Sequence, residues 1–234
     1  MPRALRSACA AFVGLATLVA ACASSGVTAP SSRDPGEIRF VALGDSYTIG
    51  VSVAEPDRWP NQLVARLREH TRLVLVANLG VNGYTSGDLI ADELPQLGAL
   101  QPGFVTVQIG VNDVVQGVPE EHYRQNVEAI LDELLQRVAA NRIVTLATPD
   151  YTVTPQGAAF GDPRQQSADI RRNNEILRAA ADDRGIAYVD IYDISLAVED
   201  DRALVATDGL HPSATQYRLW VDRIAPVVES LLVP

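Results

Sequence analysis

Five short apolar runs, each separated from the next by enough chain for a helix, leave this sequence very few architectures. They occupy residues 38–43, 73–78, 104–109, 142–147 and 187–190 and consist mostly of aliphatic, β-branched or aromatic residues. Such runs read as buried strands. Helical patterns fill the intervals. Residues 59–70 place Pro60 in a first turn, where a missing N–H costs nothing. Residues 119–139 carry Tyr123, Val127, Ile130, Leu131, Leu134, Leu135 and Val138, the spacing of a helix with one buried face. Residues 167–184 follow the same logic more weakly. The last stretch lines up Tyr217, Trp220, Val221, Ile224 and Val228 as a core stripe. Strand–helix alternation predicts a parallel sheet with right-handed crossovers. The expected fold is α/β: a three-layer α/β/α sandwich around a five-stranded parallel sheet, in one domain spanning 37–234, with no internal repeat.

The first 36 residues read differently. Arg3 and Arg6 precede an apolar, small-residue stretch from Ala8 to Ala21, the pattern of a secretory signal peptide over 1–21. It is too short for a confident membrane span. The stretch ends Leu18-Val-Ala-Ala-Cys22, which resembles the lipobox of bacterial lipoproteins, whose cysteine carries the lipid after cleavage. Ordinary cleavage at Ala21-Cys22-Ala23 is the competing reading. Residues 22–36 are rich in Ser, Ala, Pro and Gly and suit a flexible tether. The expectation is a secreted protein held at the outer face of the cell membrane by a lipid on Cys22, or else freely secreted. With Cys9 removed and Cys22 lipidated, the mature domain would hold no cysteine and no disulfide.

Charge excludes some partners. The formal net charge is -10, which argues against nucleic acid and against anionic lipid bound through a basic face. All 19 basic residues are arginine. Without lysine there is no Ser-Lys dyad, no Schiff base and no P-loop. Three scattered histidines and no spare cysteine offer no zinc spacing, so neither metal nor cofactor is expected.

Four stretches carry chemistry, and three of them follow an expected strand: Gly44-Asp45-Ser46, Asn78-Leu-Gly80-Val-Asn-Gly83-Tyr-Thr85, Gly110-Val111-Asn112-Asp113, and Thr207-Asp208-Gly-Leu-His211-Pro212. A serine just past the carboxyl end of a buried strand stands where open α/β sheets bind ligands. Its hydroxyl needs a base to become a nucleophile. Of the three histidines, His70 and His122 belong to helix ends and suit the surface. His211 lies in a turn three positions after Asp208, so one short loop can deliver base and orienting carboxylate together. A Gly-x-Ser-x-Gly elbow is absent, which sets the chain apart from ordinary α/β-hydrolases.

Taken in order, the four stretches resemble the four motif blocks of the SGNH (GDSL-type) hydrolase family, over essentially the whole domain. Trp59-Pro60 and the strand at 187–190 are similar to its lysophospholipase- and arylesterase-like branch. The resemblance implies a flavodoxin-like fold and a serine esterase. Ser46, His211 and Asp208 would form the triad, and the amides of Ser46 and Gly83 with the Asn112 side chain would form the oxyanion hole. Gly80 is the alternative glycine, and Asp113 of Asn112-Asp113 suits a helix N-cap. Val111 stands where some relatives have glycine. The long segment 148–166 lies on the active-site side, as part of the substrate pocket or as a disordered surface insertion. Short-chain acyl esters, lysophospholipids and acetylated envelope sugars are the implied substrates, and a monomer is assumed. Two other functions compete: an acyltransferase using the same acyl-enzyme, and a non-catalytic envelope-binding lipoprotein.

Overall fold

A computed structural model describes residues 36–233. The expected signal peptide, Cys22 and all but the last residue of the expected tether fall outside the described residues. Five strands, β1 (Ile38–Gly44), β2 (Leu73–Asn78), β3 (Phe104–Gln108), β4 (Ile143–Leu146) and β5 (Ala187–Val189), pair in the order β2-β1-β3-β4-β5. Every pairing is parallel. The expected three-layer α/β/α sandwich is therefore present, with no strand end displaced by more than one residue.

Alternation along β1 explains the layers. Phe40 and Ala42 face a cluster built with Trp59, Leu63, Trp220 and Ile224, from the helices Trp59–Leu67 and Ala214–Leu232. Val41 and Leu43 face the opposite cluster, with Tyr123, Val127, Ile130, Ile176 and Leu177 of the helices Glu120–Leu135 and Pro163–Asp182. Successive strand side chains point to opposite faces, so one run of consecutive apolar residues serves two helical layers. The stripe of Tyr217, Trp220, Val221, Ile224 and Val228 is buried core.

Two intervals depart from the sequence reading. Between β2 and β3 the crossover is no single helix. A one-turn helix at Ser86–Asp88, a π-helical turn at Leu89–Glu93 and further short turns reach Leu100. The helix expected from residue 167 begins at Pro163 instead, because Asp162 caps the Arg164 and Gln165 amides and proline suits the first turn.

The sheet order reverses direction between β1 and β3. That is the switch point at which crossovers diverge to opposite faces and leave a crevice at the carboxyl ends of the strands. Gly44 ends β1 there and Gln108 ends β3 beside it, in register.

Candidate active site

The turn after β1 is built on a glycine no other residue replaces. Gly44 has φ +149°, and a Cβ there would lie 2.2 Å from the Gln108 carbonyl oxygen and 2.4 Å from Thr48 Oγ1. The chain then enters the short helix Ser46–Ile49, with Asp45 as its N-cap accepting from the Tyr47 amide at 2.9 Å. Ser46 is thus the first helical residue, its hydroxyl set at the mouth of the crevice. Its amide has no acceptor among the described residues, the normal condition of a first-turn N–H.

Beneath this turn lie buried carboxyls. Gly44 donates its amide to Glu93 Oε2 at 2.9 Å, and Glu93 Oε1 has no partner. Burial pushes Glu93 up to about 9, against the Gly44 hydrogen bond that favours the anion. Burial likewise pushes Asp45 up to about 8; the Tyr47 amide opposes this and the Asp113 charge adds to it. Burial thus favours the protonated form of both. Asp113 does not cap the Val111–Val115 helix, whose N-cap is Gly110. It accepts instead from the Ser86 amide and hydroxyl, fastening the β2–β3 crossover to the turn after β3.

Asp208 and His211 sit on a tight loop closed by the Ala206 amide on the His211 carbonyl at 2.7 Å and by Gly209 at φ +76°. Asp208 Oδ1 accepts from the amides of Leu210 (2.8 Å) and His211 (3.0 Å). Its Oδ2 accepts from His211 Nδ1 at 2.7 Å. Partial burial raises the Asp208 carboxyl, but hydrogen bonds from Ser52, the Leu210 amide and His211 outweigh it and hold the group well below the usual carboxylate range. An ionised carboxylate has no proton to give, so Nδ1 carries the hydrogen and Nε2 is left as the basic nitrogen. The Tyr47 ring packs 5.4 Å from the imidazole.

Gly83 and Asn112 approach from the other side. Gly83 takes φ +86°, and a Cβ there would meet nothing within 4 Å, so backbone conformation rather than room calls for glycine. Its carbonyl accepts from Gln116 Nε2, while its amide has no acceptor among the described residues. Asn112 donates one N–H to the Tyr84 carbonyl at 2.8 Å, which orients the carboxamide and leaves it a second donor. Gly80 behaves differently. It is buried against Asp45 and Ile49, and its amide already donates to Asn78 Oδ1.

Ser46, Gly83, Asn112 and His211 border one cleft of about 320 Å³, walled by Val111, Val115, Tyr151, Phe160 and Leu210. Val111 is buried in that wall. The 148–166 segment is ordered around Asp150, whose carboxylate accepts from Thr152, Ser167 and Tyr192. Asp150 thereby holds Tyr151, and with it Phe160, against the cleft. His70 and His122 are exposed, away from this cleft. Among the described residues no group of three or more His, Cys, Asp or Glu is placed to hold a metal ion. Ser52, which donates to Asp208 Oδ2 at 2.7 Å, is the contact that sequence reasoning missed.

Sheet order, crevice and loop constellation define a three-layer α/β protein of the SGNH hydrolase type. The chain belongs to the GDSL-like Lipase/Acylhydrolase family, whose model matches residues 42–219. It is 31% identical over 115 residues to an arylesterase of Vibrio mimicus, a stretch covering 49% of this chain and 56% of that relative. The chain thus spans little more than half the length of that relative. Among solved structures it resembles the lipase/acylhydrolase from Enterococcus faecalis (TM-score 0.67, 17% identity, 84% of this chain and 98% of the other). It also resembles Axe2, an acetylxylan esterase from Geobacillus stearothermophilus (TM-score 0.63, 20% identity, 82% and 95%). At these identities the two structures speak for the fold.

Proposed function

We propose that this chain is a carboxylic ester hydrolase acting through Ser46, His211 and Asp208 by way of an acyl-enzyme. One observation carries the reading: Ser46, Gly83, Asn112 and His211 border a single cleft, and Asp208 holds the far nitrogen of the imidazole. His211 Nε2 takes the proton as Ser46 Oγ attacks the ester carbonyl carbon. The tetrahedral oxyanion accepts from the amides of Ser46 and Gly83 and from the Asn112 carboxamide. Breaking the bond to the alcohol releases it with the proton from His211, and water then attacks the acyl-enzyme by the same route in reverse. The unengaged amides of Ser46 and Gly83 support this hole, whereas the Gly80 amide is already engaged.

A cleft of about 320 Å³ with an apolar wall suits a short acyl group. Short-chain acyl esters, acetylated envelope glycans among them, are therefore the substrates proposed ahead of lysophospholipids. The acetylxylan esterase among the structural relatives speaks for an acetylated glycan, and the lipoprotein reading of Cys22 would place the enzyme near envelope substrates without selecting one.

The test is hydrolysis of p-nitrophenyl esters from acetate to palmitate by the protein and its Ser46→Ala variant. Turnover that peaks at the short esters and disappears in the variant is expected. Equal turnover by both proteins, or none from the folded wild type, contradicts the reading. An added acceptor alcohol separates hydrolysis from acyl transfer by product ratio.

A further inference from the structure

Ser52 stands out twice. It adopts φ +63°, a left-handed conformation that non-glycine residues rarely take and that gathers at functional sites. From there its hydroxyl donates to Asp208 Oδ2 at 2.7 Å, across 156 residues of sequence. The turn presenting it is tied to the helix that starts at Ser46: the Gly50 and Val51 amides both donate to the Ser46 carbonyl, and Val53 donates to Gly50. Ser52 therefore links the serine turn at one end of the domain to the acid–base loop at the other.

The atom it chooses matters. Asp208 Oδ1 is saturated by two amides of its own loop, which fix the carboxylate whether or not Ser52 is present. Oδ2 is shared between Ser52 and His211 Nδ1. Two donors on one oxygen compete for its charge, so the Ser52 hydrogen bond draws density away from the imidazole.

We propose that Ser52 is a positioning residue of the Asp208–His211 pair, setting how strongly the carboxylate pulls on the imidazole through the oxygen the two donors share. Its catalytic consequence rests on the esterase reading above; the coupling itself does not. The Ser52 bond is worth most while the imidazole is neutral and Asp208 bears an undiluted charge. Ser52 thus favours the neutral, basic ring, the form that accepts a proton from the serine hydroxyl.

Few other titratable groups face this pair. Tyr47 packs at a tilt against the imidazole, Tyr151 lies across the cleft and Asp150 lines a small cavity with His211, while Tyr217 feels the charges of Asp208 and Arg58. Glu55 and Asp57 follow Ser52 on its own exposed loop. Burial keeps the three tyrosines above their ordinary range and uncharged in any assay near neutrality, and an arginine keeps its charge there.

The variant to use is Ser52→Gly, which accepts the left-handed backbone and removes the hydroxymethyl side chain. Ser52→Ala serves as a second variant with the same expected direction. The His211 ring resonance, one of three histidine signals, is followed against pH by NMR without substrate. Its titration midpoint is expected to rise by about half a pH unit in both variants. The acid limb of the kcat/KM profile for p-nitrophenyl acetate is expected to move the same way. A midpoint that stays put or falls overturns the proposal. An inactive wild type whose midpoint still responds to Ser52 refutes the esterase reading and leaves the coupling standing.

Discussion

The Tyr217 hydroxyl donates to the Tyr47 carbonyl at 2.9 Å, joining residues 170 positions apart. Both tyrosines are buried, and Tyr47 follows the serine and packs on the His211 ring. The C-terminal helix is thereby bolted to the backbone that carries Ser46. Tyr217→Phe leaves a buried carbonyl unpaired, at a cost of about 1–3 kcal/mol. The melting temperature should fall by roughly 2–10 °C, with a smaller loss in turnover. A melting curve identical to wild type would show that the clamp does not bear on stability.

Stability should decline toward alkaline pH because of the buried acids under the serine turn. Asp45 is raised from 3.8 to about 8 and Glu93 from 4.5 to about 9. Between the ordinary and the folded values the native state keeps protons that the unfolded chain has lost, so stability falls as pH rises. That contribution is complete below about pH 4 and is gone once pH has passed about 9. Glu93→Gln retains an acceptor for the Gly44 amide and removes the charge. Thermal melts from pH 5 to 9 should therefore be flatter for the variant than for wild type; parallel curves refute the assignment.

Two glycines should fail for different reasons. Gly44→Ala forces a Cβ onto the Gln108 carbonyl, so stability should drop on the order of 3 kcal/mol or more, read by denaturant unfolding. Gly83→Ala meets no neighbour and strains only its positive φ, a cost of roughly 1–2 kcal/mol. The Gly83 variant should stay folded and lose turnover roughly 10-fold or more as its amide shifts. Full activity in folded Gly83→Ala would remove that amide from the oxyanion hole.

Asn112→Ala deletes one donor of the proposed oxyanion hole and should lower kcat by about 10²–10³, with KM and melting temperature little changed. Steady-state kinetics beside a melting curve decide it. An equal loss of activity and stability would mean that Asn112 works only through its bond to Tyr84.

Ser46, Gly83, Asn112 and His211, which the fold brings to one cleft, stand out in the sequence because each follows a strand or a tight turn within a short local pattern. The sheet was legible for a related reason: both faces of each strand are buried, which writes continuous apolar runs into the chain. What escaped notice depends on partners far away in sequence. Ser52 is one serine in an exposed loop until Asp208 folds onto it. Glu93 carries no local signal in the sequence, and only the π-helical turn at Leu89–Glu93 delivers it to the Gly44 amide. The Pro163 helix start did carry a local signal, an aspartate before a proline, outweighed by the surrounding Pro- and Gly-rich stretch.

Covalent labelling tests the central claim most directly. A fluorophosphonate phosphonylates an activated serine oxygen with loss of fluoride, and peptide mass spectrometry locates the adduct. The account predicts one adduct, on the peptide holding Ser46, absent from Ser46→Ala and slowed in His211→Ala. An adduct on another serine, or labelling that persists in Ser46→Ala, would contradict it.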